Sequence, residues 1–236
     1  MNGLPDLTER RLQPELMDSP SLDLGPHLEA LDALERVGLV SLAGWRTWHE
    51  VLRLAREGVQ PVRVLDLACG GGDVLLSVAR RAARAGVEVD LHGCDLSSVA
   101  LERAGARGGD ALGVTFHEWD VLRASLPEGY DLLTSSLFLH HLTRDEAVGL
   151  LSRMADAAGK RIFIQDLRRT PVGHVFARVG LGVLTRSPVA RHDGRISVES
   201  AFTMEEVRAV CHDAGLTGAQ VRSCWPQRFT VRWERP

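Results

Sequence analysis

The chain has 236 residues, 44% hydrophobic and 25% charged, which suits one folded core with added helices and excludes wholesale disorder or a fibrous repeat. Its net charge is −3 and Lys160 is the only lysine, so positive charge rests on scattered arginines with no block longer than pairs such as Arg168 and Arg169, and a nucleic-acid partner is not expected. No charged-then-apolar leader opens the chain and its longest apolar run, Val179 to Leu184, is far too short to span a bilayer, so a cytoplasmic protein without a membrane span is expected.

Residues 1–60 read as an arm followed by a helical cap. Pro5, Pro14 and Pro20 suit an extended segment, and Leu28, Leu31 and Leu34 begin an apolar stripe that Trp45, Trp48, Val51 and Leu52 continue. Both tryptophans are expected in the core. From Val62 the pattern changes to short β-rich runs separated by helical periods, VRVLDLA, VLLSVARRAARAG, VEVDLHGCDL, SSVALERA and VTFHEWDVL. Such alternation predicts a doubly wound α/β fold, a parallel sheet with helices on both faces.

YDLLTSSL supplies a fourth strand, followed by a helix with Thr143 and Glu146 in capping-box spacing that ends before Gly159, and RIFIQDL a fifth. Residues 170–200, part helix and part loop, are too long for a routine connection and read as a lid or substrate-binding insertion. Thr203 with Glu206 opens a last helix that stops at Gly215. Two strands follow, the second with Phe229, Val231 and Trp233 alternating against polar neighbours, so residues 61–236 hold seven strands. Cys69, Cys94, Cys211 and Cys224 show no CxxC spacing, which argues for reduced thiols and against a disulfide framework or a zinc site; no metal is expected.

The strongest chemical signal is VLDLACGGGDV, a buried-type strand ending in a glycine turn that runs into a helix. Gly70, Gly71 and Gly72 let the backbone approach a ligand beside a helix N-terminus. Asp66, just before the turn, can pair with an ammonium group. Asp95, ending the second strand, can accept both hydroxyls of a ribose. Asp120, closing the third strand, can accept an exocyclic amine while Val121 offers its N–H to the same base. A nicotinamide-binding turn would need a third glycine, but Leu75 stands at that position.

These residues resemble the class I S-adenosylmethionine-dependent methyltransferases, from about residue 60 to the end of the chain. Asp66, Gly70 and Gly72 match that family's glycine motif, with Ala68 replacing its first glycine. The resemblance implies that Asp66 and the loop of Ala68, Cys69, Gly70 and Gly72 hold the methionine end of S-adenosylmethionine, Asp95 with Leu96 the ribose, and Asp120 with Val121 the adenine. It implies a Rossmann-like sheet whose last strand is antiparallel, and S-adenosylhomocysteine as product. TSSLFLHHL looks like the segment after strand four of small-molecule methyltransferases, where Ser136 borders the sulfonium and His141 follows. Together PELMDSP, SLFLHHL and LTRSPVARHDGRISVESAFT look similar to bacterial methyltransferases associated with polyketide synthases, which places the chain in secondary metabolism.

The expected activity is methyl transfer to a small molecule, leading with the oxygen of a phenolic or polyketide-type compound. Carbon methylation of a quinone-like ring and a binding module without catalysis are the alternatives. His141, and next to it His140, are candidates for the base that takes the acceptor's proton. Asp166 with Arg169 or Arg168 reads either as a substrate contact or as a solvated charge pair, and His192 carries the same two readings. Cys69 and Cys94 also read as small core residues. A homodimer is compatible with this sequence.

Overall fold

In the computed structural model, which describes residues 5–19 and 21–236, the β-rich runs form one sheet. β1 (Val62–Leu67) is apolar on both faces and almost wholly buried, so it takes the centre. β2 (Val89–Asp95) and β3 (Val114–Glu118) extend the sheet on one side, and β4 (Leu132–Ser136) and β5 (Arg161–Leu167) on the other, all parallel. β6 (Gln220–Cys224) lies at the edge, and β7 (Arg228–Glu234) inserts between β5 and β6, antiparallel to both. The order is β3, β2, β1, β4, β5, β7, β6. The seven-stranded doubly wound fold with a reversed last strand is what the sequence predicts.

Alternation along the strands divides the core in two. Val62 and Val64 face one layer with α2 (Ala43–Arg56) and α3 (Asp73–Ala85), packing on Val51, Leu54 and Leu76. Leu65 and Leu67 face the other, with α5 (Arg144–Ala157), α8 (Met204–Asp213), Phe229 and Val231. The capping boxes of Thr143 with Glu146 and of Thr203 with Glu206 are both formed. α1 (Leu24–Ser41) precedes α2, and the chain turns between them at Leu42. Trp48 is buried as expected but Trp45 is 43% exposed. The buried stripe of α2 runs through Thr47, Trp48, Val51 and Leu54, which leaves Trp45 on the opposite flank against His49.

Residues 170–200 are almost wholly helical, where part loop is expected from sequence. α6 (Pro171–Leu184) and α7 (Pro188–Ser200) each begin with proline, and the hydroxyls of Thr170 and Ser187 accept the N–H groups of Gly173 and Ala190. Proline has no N–H to lose at that position and its fixed φ suits the first turn. Residues 5–19 lie along α7 as a strap with one 3-10 turn at Leu16–Asp18. Arg11 N–H donates to the Glu199 carbonyl at 3.1 Å, and the N–H groups of Leu16 and Met17 donate to the buried Asp193 carboxylate at 2.9 and 3.0 Å. Pro5 and Pro14 belong to this strap; Pro20 lies outside the described residues.

At the amino end of β5 the buried Arg161 meets Glu57 at 3.0 Å, Glu234 at 2.5 Å and the buried Glu50 at 3.5 Å, joining α2 to β5 and β7. Removing a buried ion's partner commonly costs 3–5 kcal/mol, and two of these three carboxylates are half-exposed. Arg161→Ala is therefore expected to lower unfolding free energy by about 3 kcal/mol in a denaturant titration; a loss near zero would show that Arg53 and Arg232 suffice for Glu50.

Candidate active site

Strand order reverses between β1 and β4: the chain steps outward from β1 to β2 and β3, then returns to β1's other side. Connections that leave in opposite directions open a crevice beyond the carboxyl ends of the strands. The turn after β1 borders it. Ala68, where a glycine is usual, adopts the left-handed φ of 54°, and Gly70 and Gly72 follow at 51° and 72°. A β carbon at Gly72 would stand 2.8 Å from the Phe116 ring, whereas one at Gly70 would meet nothing within 4 Å. The turn thus packs inward at Gly72 and faces open space at Gly70. Asp95 holds it in place, accepting the Gly70 N–H at 2.8 Å and the Ser97 N–H at 2.9 Å.

Asp66 lies inside β1, 1% exposed, and its Oδ1 has no hydrogen-bond partner. Burial first, and then the neighbouring charge of Asp95, push its carboxyl up to about 7. Burial likewise pushes up the Cys69 and Cys94 thiols, which leaves them as protonated packing groups. Asp120 does not close β3 as expected from sequence. The strand stops at Glu118 because the Trp119 N–H turns to the Asp95 carbonyl at 2.9 Å, and Asp120 then folds back to accept the Leu122 N–H at 2.9 Å. Val121 is buried beneath it. Asp120 and the exposed Leu96 line an open depression of about 420 Å³ with Leu122 and Arg123.

On the far side of the crevice, Ser136 ends β4 half-buried and a 3-10 turn, Leu139–His141, follows. His140 is 4% exposed. Its Nδ1 lies 2.6 Å from Asp166 Oδ1, its N–H donates to Asp166 Oδ2 at 3.1 Å, and its Nε2 lies 3.4 Å from Glu15 Oε1. Burial opposes a charge on the ring, but Asp166 and then Glu15 outweigh it and push the imidazole up to about 10. Asp166 is held below the ordinary carboxylate range by the same contact, against the effect of burial. His141 is less buried, with Nδ1 3.1 Å from Asp18 Oδ2 and Nε2 3.9 Å from Glu15 Oε1.

Asp166 is thus neither solvated nor paired with Arg168 or Arg169. It is fully buried within β5, and His140 is its partner. Arg169, also buried, spends its guanidinium on Glu206 at 2.6 and 2.8 Å and on the carbonyls of Ala201 and Leu7, pinning the strap to the fold. His192 lies on α7 beside Asp193 at 3.1 Å. Reading the sequence alone misses Glu15, Asp18 and Arg228. PELMDSP is a visible signal for the first two, but nothing local ties it to the histidines. Arg228 begins β7 next to the carboxyl end of β5, 1% exposed, with Nε and Nη1 unpartnered; burial lowers it to about 10 against the pull of Asp166.

An unpartnered buried carboxylate, an open glycine turn and a second acid at the next strand end suit a nucleoside that carries an ammonium group, the equipment of an α/β transferase. Residues 64–160 match the family described as a methyltransferase domain. The chain is 27% identical over 195 residues to the ubiquinone biosynthesis O-methyltransferase of Ralstonia nicotianae, covering 78% of each, and 25% identical over 181 residues to that of Acinetobacter baumannii, covering 75% of this chain and 72% of the other. Its fold is similar to that of the plantazolicin methyltransferase BpumL in complex with a triazolic desmethylPZN analog and S-adenosylhomocysteine, with a TM-score of 0.60 at 14% identity over 93% of this chain and 88% of that one. It is similar also to the S-adenosylmethionine-dependent methyltransferase SibL, with a TM-score of 0.56 at 22% identity over 75% of this chain; it spans about half of SibL, 51% of that chain. Residues 64–160 thus carry a methyltransferase domain, the whole fold is similar to that of S-adenosylmethionine-dependent methyltransferases, and S-adenosylmethionine is the cofactor. No helix among the described residues is long and apolar enough to cross a membrane.

The raised value of Asp66 has a sign that can be tested. A carboxyl at about 7 in the folded chain and about 4 in the unfolded one contributes most below pH 4, and that contribution is lost as pH rises through about 7. Asp66→Asn removes the dependence. The melting temperature of the ligand-free variant, minus that of the native chain, is expected to grow between about pH 4 and pH 8; a constant difference would mean that Asp66 titrates normally.

Proposed function

We propose that this methyltransferase acts on the hydroxyl oxygen of a flat phenolic or polyketide-type small molecule. The observation that carries the reading is the buried Asp166 and His140 pair, with His141 beside it, at the same sheet edge as the glycine turn. Relatives named for O-methyl transfer in ubiquinone biosynthesis support an oxygen acceptor. The scattered arginines support a small molecule over a nucleic acid.

S-adenosylmethionine, when bound, supplies an electrophilic methyl group on a sulfonium sulfur. Asp66 would meet its ammonium group through the unpartnered Oδ1, and the backbone of Ala68, Cys69, Gly70 and Gly72 would line its methionine end. Asp95 would accept from the ribose hydroxyls with its remaining lone pairs, beside Leu96. Asp120 and Val121 would meet the base, and Ser136 would border the sulfur. Methyl transfer consumes charge, so the chain's main task is to align the acceptor in a dry pocket, and well-oriented reactants can be worth roughly 7–11 kcal/mol. The strap, the helical cap of α1 and α2 and the insertion of residues 170–200 would enclose the acceptor's apolar body. His141 would draw off the hydroxyl proton, since Asp166 and Glu15 already keep a proton on His140, and the unpartnered Nε and Nη1 of Arg228 would favour an anionic oxygen nearby.

Two measurements test the assignment. Calorimetric titration with S-adenosylhomocysteine, with NAD as control, is expected to show binding of the former alone, and Asp95→Ala to weaken it by about 1.5–3 kcal/mol; an unchanged affinity removes Asp95 from the site. With a phenolic acceptor, His141→Ala is expected to lower kcat by about 10²–10⁴-fold and leave S-adenosylhomocysteine affinity intact. Near-normal turnover would take proton removal away from this residue, and a carbon-methylated product would replace the oxygen acceptor.

A further inference from the structure

We propose that Glu15, His140 and His141 form a site for a divalent transition-metal ion such as zinc. One ligand atom from each of the three lies within 4.8 Å of the other two. The spacing distinguishes a metal cage from a hydrogen-bonded cluster. A charge-assisted N–H to carboxylate bond draws its atoms to about 2.7–2.9 Å, whereas two ligands on a tetrahedral zinc at about 2.0–2.1 Å stand about 3.3 Å apart. Glu15 Oε1 is 3.4 Å from His140 Nε2 and 3.9 Å from His141 Nε2. The first distance is already that of a tetrahedron's edge, and the second reaches it by a shift of about half an ångström.

The surroundings point the same way. Metal-bound histidines characteristically give their other ring nitrogen to a carboxylate, which fixes the tautomer and ring orientation. Both histidines do so here, His140 to Asp166 at 2.6 Å and His141 to Asp18 at 3.1 Å, so both turn Nε2 toward Glu15. Glu15 is buried and its carboxylate is oriented by the Ser197 hydroxyl. Three carboxylates converge on the pair, while the nearby guanidinium of Arg10 is turned to the His140 carbonyl at 3.0 Å.

The inference deepens the proposed function and rests on it. Three protein ligands leave a fourth position for water or for the acceptor's hydroxyl oxygen; the hydroxyl proton leaves to solvent as that oxygen binds, and the histidine pair acts through the ion. The cysteine spacing that argues against a zinc site concerns sulfur ligands, and this site uses none.

The test uses the full chain stripped with a chelator and returned to buffer. Titration with cobalt(II) is expected to give the visible absorption of a tetrahedral ion, and calorimetry one zinc per chain. Glu15→Gln and His141→Ala are each expected to weaken zinc binding by at least about tenfold, the scale on which even outer contacts act, with circular dichroism unchanged. No stoichiometric binding, or equal affinity in both variants, overturns the site. S-adenosylhomocysteine binding in the same samples separates the two readings: binding without zinc overturns only the metal, and loss of both in the native chain overturns the proposed function as well.

Discussion

The residue that organises the crevice is Asp95, because the turn after β1 cannot hold its shape unaided. Ala68 carries a left-handed φ that costs an L-residue roughly 1–2 kcal/mol, and although the Cys69 N–H reaches the Cys94 carbonyl of β2, the Gly70 N–H turns to a side chain instead. Two N–H groups donated to one carboxylate, from Gly70 and Ser97, offset that cost and join the turn after β1 to the turn after β2. Burial raises Asp66, next along the edge, and the Asp95 carboxylate adds to that rise. Backbone strain, turn closure and electrostatics at this edge are therefore one problem with one solution, and Asp95 cannot change without disturbing all three.

Two buried carboxylates at this edge show how a partner decides the effect of burial. Asp66 and Asp166 are both almost completely inaccessible, yet the first is pushed up and the second held down. Desolvation acts on both; only Asp166 has an imidazole against it. A buried polar group that is satisfied fixes geometry, whereas one without a partner leaves a desolvation cost that a ligand can relieve. On that criterion Asp66 and Arg228 are open to something the chain lacks, whereas the Asp166 carboxylate is satisfied by His140 and the Leu167 N–H.

The sheet and the glycine turn were legible because their signals are local. Strand period, capping boxes and a glycine turn each lie within a dozen residues, and Thr143 with Glu146 or Gly70 with Gly72 can be recognised without knowing the rest of the chain. The acceptor side was not legible for the opposite reason. Asp166 reads as a charge beside Arg168 and Arg169, because nothing in sequence brings His140 to it across the sheet. Trp45 looks like Trp48 in composition and differs only by the face of α2 that it falls on. Glu15 has no periodicity to mark it, and only the strap's path along α7 carries it to the histidines.

On the proposed function, that path would make the strap part of the chemistry. Arg169 and Asp193 grip it from the fold through the Leu7 carbonyl and the N–H groups of Leu16 and Met17, and Glu15 sits between those grips. Its carboxylate covers His140 and His141, so an acceptor reaching them directly has to displace or share it. The strap is held by hydrogen bonds, one buried acid, Met17 against Val189 and Ala190, and Arg10 over the Phe202 ring, and a segment without a helix's own ladder yields more readily than a packed helix. On the proposed function, closure over the acceptor and access to the histidines would therefore belong to one segment. The acid that fills the position before the acceptor arrives is also the group that a shared ion would keep in place once it has.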